Sequence, residues 1–212
     1  PILSGVFGSY KVRGGGGGGV APHPQKRLGQ GGRFKKKIGN KKINKDFTIP
    51  VFKCMLAHDS ANHEKKLVGE KLLDYKLDGV RVLAIYDADS DSVTMYSRNG
   101  KQFINFGHIE KEIVDTLASK FTESMVLDGE MVSSSFQALM KQVHRKDNVE
   151  ATDAKFALFD VLTLKEFKAG VSKLGCWERH KQLETLLADT KPLYSNIFLV
   201  DKVECNFDTE EG

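Results

Sequence analysis

The sequence is poor in the residues that build cross-linked or metal-bound frameworks. Its 212 residues include 3 cysteines, 5 prolines and 1 tryptophan. Cys54, Cys176 and Cys205 form no C-x-x-C pair and have no histidine at ligand spacing, which argues against a disulfide framework and against a zinc site. No apolar run approaches the roughly 18 to 20 residues of a membrane helix, and the start has no charged stretch followed by an apolar core. We therefore expect a protein of a reducing compartment without a membrane partner.

Positive charge is concentrated at the start of the chain. Residues 1–46 hold eleven Lys and Arg and a single acid, a formal charge of +10, whereas residues 47–212 carry −6. The first segment also contains 12 of the 20 glycines, so ordering its backbone would lose much conformational entropy. We expect a largely disordered basic arm that faces nucleic acid, with a plain linker as the alternative. The candidate DNA contacts are Arg33, Lys35, Lys36, Lys37, Lys41 and Lys42.

From residue 47 onward, apolar runs alternate with turn signals. Residues 71–86 read as two extended segments around Asp78–Gly79, a dipeptide common in hairpins. Residues 108–121 carry an apolar stripe at four-residue spacing, which predicts a helix. Further strands are expected at 93–97, 125–132, 155–162 and 197–204, and helices at 136–144 and 175–189. Because strands outnumber helices, we expect an α+β fold with mixed, largely antiparallel sheets and packed helices.

The most informative segment is KLDGVR, residues 76–81. It places a lysine at the end of an apolar strand, an acid at a bend and an arginine at the start of the next strand. A hairpin turn with exposed charges is the alternative interpretation. Three later segments follow at intervals of about 20, 30 and 30 residues: SRNG at 97–100, LDGE at 127–130 and FALFD at 156–160.

These four segments resemble, in the same order, the motifs of the covalent nucleotidyltransferases: KxDGxR, SRxG, DGE and an aromatic motif that ends in FD. Residues 55–57 (MLA) are similar to the segment ahead of the nucleophile in ATP-dependent DNA ligases. Residues 41–58 are similar to the junction between the helical DNA-binding domain and the catalytic domain in ligases of tailed bacteriophages. The resemblance implies that residues 47–212 are the N-terminal part of an ATP-grasp-like adenylylation domain.

The resemblance also implies a chemistry. Lys76 is the nucleophile that attacks the α-phosphorus of ATP, which it can do only as a neutral amine, so desolvation or neighbouring cations are required. Mg²⁺ accompanies the triphosphate, because clustered negative charge otherwise repels the nucleophile. AMP then passes to a 5′-phosphate in nicked duplex DNA. We expect a monomeric, cytoplasmic enzyme, in the host cytoplasm if the source is viral, that acts in DNA replication, repair or recombination.

Roles for the other site residues are carried over by motif position. Arg81 and Arg98 hold the nucleotide and its phosphates, because a guanidinium offers two parallel donors. Glu130 binds the ribose and helps to place a metal, and Phe159 stacks on the purine. Two residues before the nucleophile, the family often has a Glu or Gln that reads the adenine amine. Here that position is Asp74, whose side chain is one methylene shorter than that of Glu.

The sequence departs from the family pattern after the aromatic motif. An EGxxxK segment, a KxK pair and an OB-fold domain normally follow, and Glu211–Gly212 matches only the first two letters. Residues 208–211 are also typical of a helix start. The chain begins at Pro1 rather than Met. We therefore expect a chain cut from a longer protein, with weakened activity because the missing lysines would leave phosphate charge uncompensated.

Two other functions stay open. An RNA ligase or a capping guanylyltransferase of the same superfamily has a similar nucleophile motif. A catalytically incomplete fragment that binds nucleic acid through its basic arm is the second alternative. The MLA segment, SRNG and the position of the aromatic motif favour the DNA ligase.

Overall fold

The computed structural model describes residues 54–56, 64–144, 150–188 and 195–208. The basic arm, with its six candidate DNA contacts, lies outside the described residues, as does Glu211–Gly212. Within the described ranges, no helix has the length and apolar character needed to span a membrane.

Eight strands and four α-helices make up the described fold. The strands are β1 (Glu70–Asp74), β2 (Val80–Asp87), β3 (Ser92–Ser97), β4 (Gln102–Phe103), β5 (Met125–Val132), β6 (Lys155–Thr163), β7 (Ile197–Leu199) and β8 (Lys202–Asn206). The helices are α1 (Gly107–Leu117), α2 (Phe136–His144), α3 (Leu164–Ala169) and α4 (Cys176–Ala188). Short 3₁₀ turns lie at Glu64–Lys66 and Ala118–Lys120.

The strands form two sheets. The larger has six strands in the order β4-β3-β2-β5-β6-β7, and the smaller is a two-stranded ribbon of β1 and β8. Neighbouring strands are antiparallel throughout, except that β7 runs parallel to β6. The predicted α+β fold with mixed, largely antiparallel sheets is confirmed.

The large sheet is covered by apolar packing on both faces, and β2 lies near its centre. Val82 and Ala84 pack into a core that includes residues of α1, α2 and α4. Leu83 and Ile85 point to the other face, where α3 packs. Because β2 is buried on both faces, its sequence is a nearly continuous apolar run rather than an alternating one. Each fully buried Leu or Ile contributes about 1.5 to 3 kcal/mol.

The helix predicted at 108–121 is confirmed, because the apolar stripe is what anchors it. Ile109, Ile113 and Leu117 are all fully buried in α1. In contrast, α3 was not predicted. Its six residues are too few for a periodic signal, and it begins with a capping box in which Thr163 and Glu166 bond each other's backbone.

The two extended segments predicted around Asp78–Gly79 are β1 and β2, but the alternative of a hairpin there is wrong, and so is one strand prediction. Asp78–Gly79 does not close a hairpin, because β1 and β2 belong to different sheets and residues 75–79 cross from one sheet to the other. The single strand predicted at 197–204 is two strands, β7 in the large sheet and β8 in the ribbon. In both cases the chain changes sheets between two strand-forming segments, and hydrophobic patterning carries no signal for which partner a strand pairs with.

Candidate active site

A cleft of about 850 Å³ lies where the ribbon meets the large sheet. It is lined by the linker that follows β1, the turn between β3 and β4, and residues of β5, α2 and β6. Its volume is within the range of about 300 to 1,000 Å³ that small-molecule sites occupy. All six residues assigned to ATP line it, namely Asp74, Lys76, Arg81, Arg98, Glu130 and Phe159.

Close backbone packing brings Lys76 to this cleft. Lys76 is exposed and lies in the linker 75–79. At the end of that linker, a Cβ on Gly79 would lie 2.2 Å from the Met131 carbonyl oxygen and 2.9 Å from Cγ of Glu130. A side chain therefore does not fit at position 79, and glycine lets the linker press against β5. The glycine of KxDGxR is explained by this close approach and not by a tight turn.

A β-bulge brings Phe159 to the same cleft. Across β5 and β6, Asp128 pairs with Asp160 and Gly129 pairs with Leu158, so Phe159 is the extra residue. Bulges of this kind re-aim a side chain and are frequent beside functional sites. A Cβ on Gly129 would lie 2.4 Å from the Ala157 carbonyl oxygen. The DGE and FALFD segments therefore form one structural unit, in which a glycine in β5 accommodates the bulged strand β6.

Arg81 is held by protein groups. Its Nε and Nη2 donate to the two carboxylate oxygens of Asp128 at 2.9 and 2.7 Å, and Nη1 donates to the Met55 carbonyl at 2.7 Å. The guanidinium lies 4.9 Å from the centroid of the Phe159 ring. The parallel donors that the sequence assigned to phosphate thus bind Asp128, whose side chain is only 2% exposed. Arg81 joins β2 to β5 and to the MLA segment, and places positive charge beside the aromatic ring.

Glu130 pairs with Arg81 across β2 and β5 and lines the cleft. Burial raises the pKa of its carboxyl group to about 7, while the charges of Arg81 and Lys76 act in the opposite direction. The side chain therefore changes protonation state near neutral pH. Arg98, in contrast, is an exposed cation on the turn between β3 and β4.

The donor set fits a magnesium ion only as a partner of substrate phosphates. Mg²⁺ commonly binds one or two carboxylates together with phosphate oxygens and water. Glu130 supplies one carboxylate, whereas both oxygens of Asp128 accept hydrogen bonds from Arg81. In the ranges that the structure describes, no group of three or more His, Cys, Asp or Glu side chains is arranged to hold a metal.

Asp74 has a partner that the sequence did not indicate. Lys202 donates from Nζ to its Oδ2 at 2.6 Å, and both side chains are 3% exposed. The other carboxylate oxygen, Oδ1, is buried and has no hydrogen-bond partner among the described residues. Lys202 lies 128 residues along the chain, so no local pattern could have predicted this pair.

The aspartate of FALFD is also paired. Asp160 accepts from Nε of Arg179 at 2.7 Å and from Nη2 at 2.9 Å. Nη1 of the same arginine donates to the Leu174 carbonyl at 2.7 Å. Arg179 lies on α4, so this pair attaches the helix to β6 at the residue that follows Phe159. Its only sequence signal was an arginine in a predicted helix.

The chain is similar to ATP-dependent DNA ligases in sequence and in fold. A family model described as the ATP dependent DNA ligase domain matches residues 54–208. Two solved structures, named Pmar-Lig_Pre and Pmar-Lig_PreS3, are each 45% identical to it with a TM-score of 0.72, over 77% and 79% of this chain. The ATP-dependent DNA ligase from bacteriophage T7, in complex with ATP, shares the fold with a TM-score of 0.53 and 19% identity, over 76% of this chain and 57% of its own. No curated protein matches the chain.

The match covers the part of the chain that builds the cleft. This chain spans 37% and 38% of the length of the two structures with 45% identity. The family match at 54–208 includes every strand and helix described here, together with all four motif segments. The chain therefore belongs to the family of ATP-dependent DNA ligases and forms part of their adenylylation domain.

Proposed function

We propose that this chain carries the lysine-adenylylating centre of an ATP-dependent DNA ligase that seals nicks in duplex DNA. The observation that supports the proposal is the convergence of four motif segments on one cleft. These segments are far apart in the chain and come from the β1–β2 linker, the β3–β4 turn, β5 and β6. A nucleophilic amine, cations, a carboxylate and an aromatic ring are the groups that a nucleotidyl transfer requires.

In the first step, Nζ of Lys76 attacks the α-phosphorus of ATP as a neutral amine. A nitrogen–phosphorus bond forms while the bond from the α-phosphorus to the bridging oxygen of pyrophosphate breaks. The amine proton leaves to solvent, which the exposed position of Lys76 allows. The AMP then passes to a 5′-phosphate at a nick, and the adjoining 3′-hydroxyl displaces it, joining the strand. Both later steps are substitutions at phosphorus that depend mainly on positioning and charge.

The other cleft residues have binding roles in this proposal. Phe159 stacks on the purine, and Glu130 accepts a hydrogen bond from the ribose. Arg98, which is exposed in the cleft, binds phosphate oxygens. Arg81 adds positive charge from its fixed position on Asp128. Mg²⁺ held by Glu130 and the phosphates would supply charge neutralisation.

The proposal is tested with ATP labelled on its α-phosphate. We expect the chain to acquire an acid-labile label on Lys76, and Lys76→Arg to abolish it. Lys111→Arg is the matched control, because Lys111 is exposed on α1 and outside the cleft. Label from GTP but not from ATP would assign the chain to the guanylyltransferases instead.

ATP binding is measured separately from the labelling of Lys76. The reason is that the chain spans less than two fifths of the length of the two relatives that are 45% identical to it. Periodate-oxidised ATP carries a dialdehyde that forms an imine with a nearby lysine, which borohydride then fixes. Peptide mapping should find this adduct at Lys76, and unmodified ATP should prevent it. Steeply salt-dependent DNA binding with neither adduct nor label would identify a nucleic-acid-binding fragment.

Nick sealing itself is tested with a labelled nicked duplex and the full 212-residue chain. A DNA ligase joins the strand and an RNA ligase prefers the matching nicked RNA. For such an activity we propose a role in DNA replication, repair or recombination. We propose a cytoplasmic location, where DNA and ATP are both available to such an enzyme.

A further inference from the structure

The buried ion pair between Asp74 and Lys202 lies at the point where the chain leaves the ribbon for the cleft. Asp74 is the last residue of β1 and Lys202 is the first residue of β8, and the two are directly opposite in the antiparallel register. Their charged atoms are 2.6 Å apart, and each side chain is 3% exposed. Two residues after Asp74 comes Lys76, the proposed nucleophile.

Such a pair is an inefficient way to stabilise a fold. Removing two charges from water is about as unfavourable as their attraction is favourable, and an apolar pair of similar size is often as stable. The pair is also incompletely satisfied, since Oδ1 of Asp74 is buried without a hydrogen-bond partner among the described residues. Burial raises the pKa of the Asp74 carboxyl group, and Lys202 opposes that rise. Lys202 therefore favours a charged Asp74 at this position, and the charge of His180 acts in the same direction to a smaller extent.

The linker 75–79 is anchored at both ends and exposed between them. At its far end, Gly79 is pressed against the Met131 carbonyl, where even a Cβ would not fit. At its near end, the pair between Asp74 and Lys202 fixes the last residue of β1. Tyr75 and Lys76 lie between these anchors, and both are exposed. The conformation of the segment that carries Lys76 thus depends on its two ends.

We infer that Lys202 is a positioning residue for the adenylylation of Lys76: by holding Asp74, it fixes the near end of the linker and keeps Nζ in line with the α-phosphorus. This inference rests on the proposed function and adds a residue to it. In this inference Asp74 helps to fix the position of the linker. If Asp74 instead recognised the adenine amine, it would help to select the base. The two roles predict different kinetics.

The test compares Lys202→Met, Lys202→Arg, Asp74→Asn and the double variant Asp74→Asn/Lys202→Met in the full 212-residue chain. We expect Lys202→Met to lower the maximal rate of Lys76 labelling by about 100-fold, as misplacement of a reacting group by about 1 Å does. The KM for ATP should stay unchanged. Lys202→Arg keeps the charge and should retain most of the rate. The double variant should be no slower than Lys202→Met alone, because both variants break the same contact.

A second readout does not depend on activity. Amide hydrogen exchange of residues 75–79 should become faster in Lys202→Met, while exchange in α1 stays as it is in the unmodified chain. Lys111→Met is the matched control, since it removes an exposed lysine from an ion pair whose side chains are 73% and 53% exposed. If Lys202→Met does not fold, the double variant, which buries no charge at this site, replaces it in both measurements.

The outcomes separate the inference from the proposed function. If the unmodified chain takes no label on Lys76, the proposed function fails whatever the variants do. If the unmodified chain is labelled and Lys202→Met is labelled equally fast with equally protected linker amides, the inference alone is overturned. It is also overturned if Asp74→Asn changes the preference for ATP over GTP while Lys202→Met has no effect, because that result assigns Asp74 to base reading.

Discussion

Two arginine–aspartate pairs lie side by side in the large sheet, and they use the same geometry for different purposes. Asp128 and Asp160 are opposite each other in β5 and β6, and each binds an arginine through two parallel hydrogen bonds. The side chain of Arg81 is 14% exposed at the cleft, whereas that of Arg179 is 1% exposed beneath α4. The two pairs therefore share a bond pattern and differ in solvent access, which leaves Arg81 in contact with the cleft and Arg179 in the core.

The strongest test of this comparison is Arg179→Met. It leaves the charge of Asp160 buried without its guanidinium partner, so we expect the free energy of unfolding to fall by about 3 to 5 kcal/mol. Urea denaturation measures this loss. Arg179→Lys is the control, because it keeps the charge and loses only the parallel hydrogen bonds. A fall of less than about 1 kcal/mol in the free energy of unfolding would show that the pair of Arg179 and Asp160 does not stabilise the fold.

Arg81→Met should lower stability less than Arg179→Met does and should lower the labelling of Lys76 more. Its partner Asp128 is also buried, but water in the cleft reaches the vacated position, so we expect a smaller loss of about 2 kcal/mol. Labelling of Lys76 by ATP should fall far more than stability does, because Arg81 contacts the Phe159 ring and the MLA segment. Unfolding and labelling are measured on the same preparation. Equal stability losses in Arg81→Met and Arg179→Met, with labelling intact in both, would remove the distinction between the pairs.

Glu130→Gln tests, through its pH dependence, whether the cleft carboxyl group beside Arg81 is buried. The folded-state pKa of Glu130 is about 7, above its ordinary value of 4.5, so between these values the folded chain binds more protons than the unfolded chain. Stability from this group is therefore lost as pH rises through that window. Gln does not titrate, so Glu130→Gln should gain roughly 1 to 3 kcal/mol over the unmodified chain at pH 8 and much less at pH 5.

Urea denaturation at the two pH values gives the difference directly. Glu123→Gln, at an exposed position two residues before β5, is the control and should show no such trend. If the advantage of Glu130→Gln were the same at both pH values, the carboxyl group would not be buried as the structure indicates.

The smallest expected effect on stability belongs to Phe159→Leu. Phe159 lies between the two pairs, next to Asp160 in sequence and beneath the Arg81 guanidinium. Loss of base stacking should weaken ATP binding by about 1 to 3 kcal/mol, with less than about 1 kcal/mol lost in unfolding. Calorimetric titration measures the first quantity. Phe156→Leu is the matched control, because that ring is fully buried in the same strand, and it should lower stability and leave ATP affinity unchanged.

Short-range features of the fold were predictable from the sequence. The stripe of Ile109, Ile113 and Leu117 predicts α1. A helix repeats every 3.6 residues, so apolar residues four positions apart lie on the same face. The strand predicted at 125–132 is β5 with the same bounds. The motif order also led to six residues that the fold gathers in one cleft. The helix and strand predictions succeeded because each depends on neighbours along the chain, whereas the roles of the six cleft residues stay predictions.

Other features could not be predicted. The chain changes sheets after Val200, yet residues 197–204 contain no Gly, Pro or Asn that would signal a break in the strand. The bulge at Phe159 depends on the register of β6 against β5, which the sequence of β6 alone does not specify. Arg81 was expected to bind phosphate because its guanidinium offers two parallel N–H donors. The same donors fit a carboxylate, and the carboxylate of Asp128 is within hydrogen-bond distance.

By itself, the sequence determined the local elements, the order of the motifs and the chemical types of the groups in the cleft. The tertiary structure alone decided which charges meet: Arg81 with Asp128, Arg179 with Asp160, and Lys202 with Asp74. The physical reason is the separation of the interacting residues along the chain. Helix and strand patterns arise from contacts a few residues apart, whereas a buried ion pair requires two distant segments to be brought within 2.9 Å by the packing of everything between them.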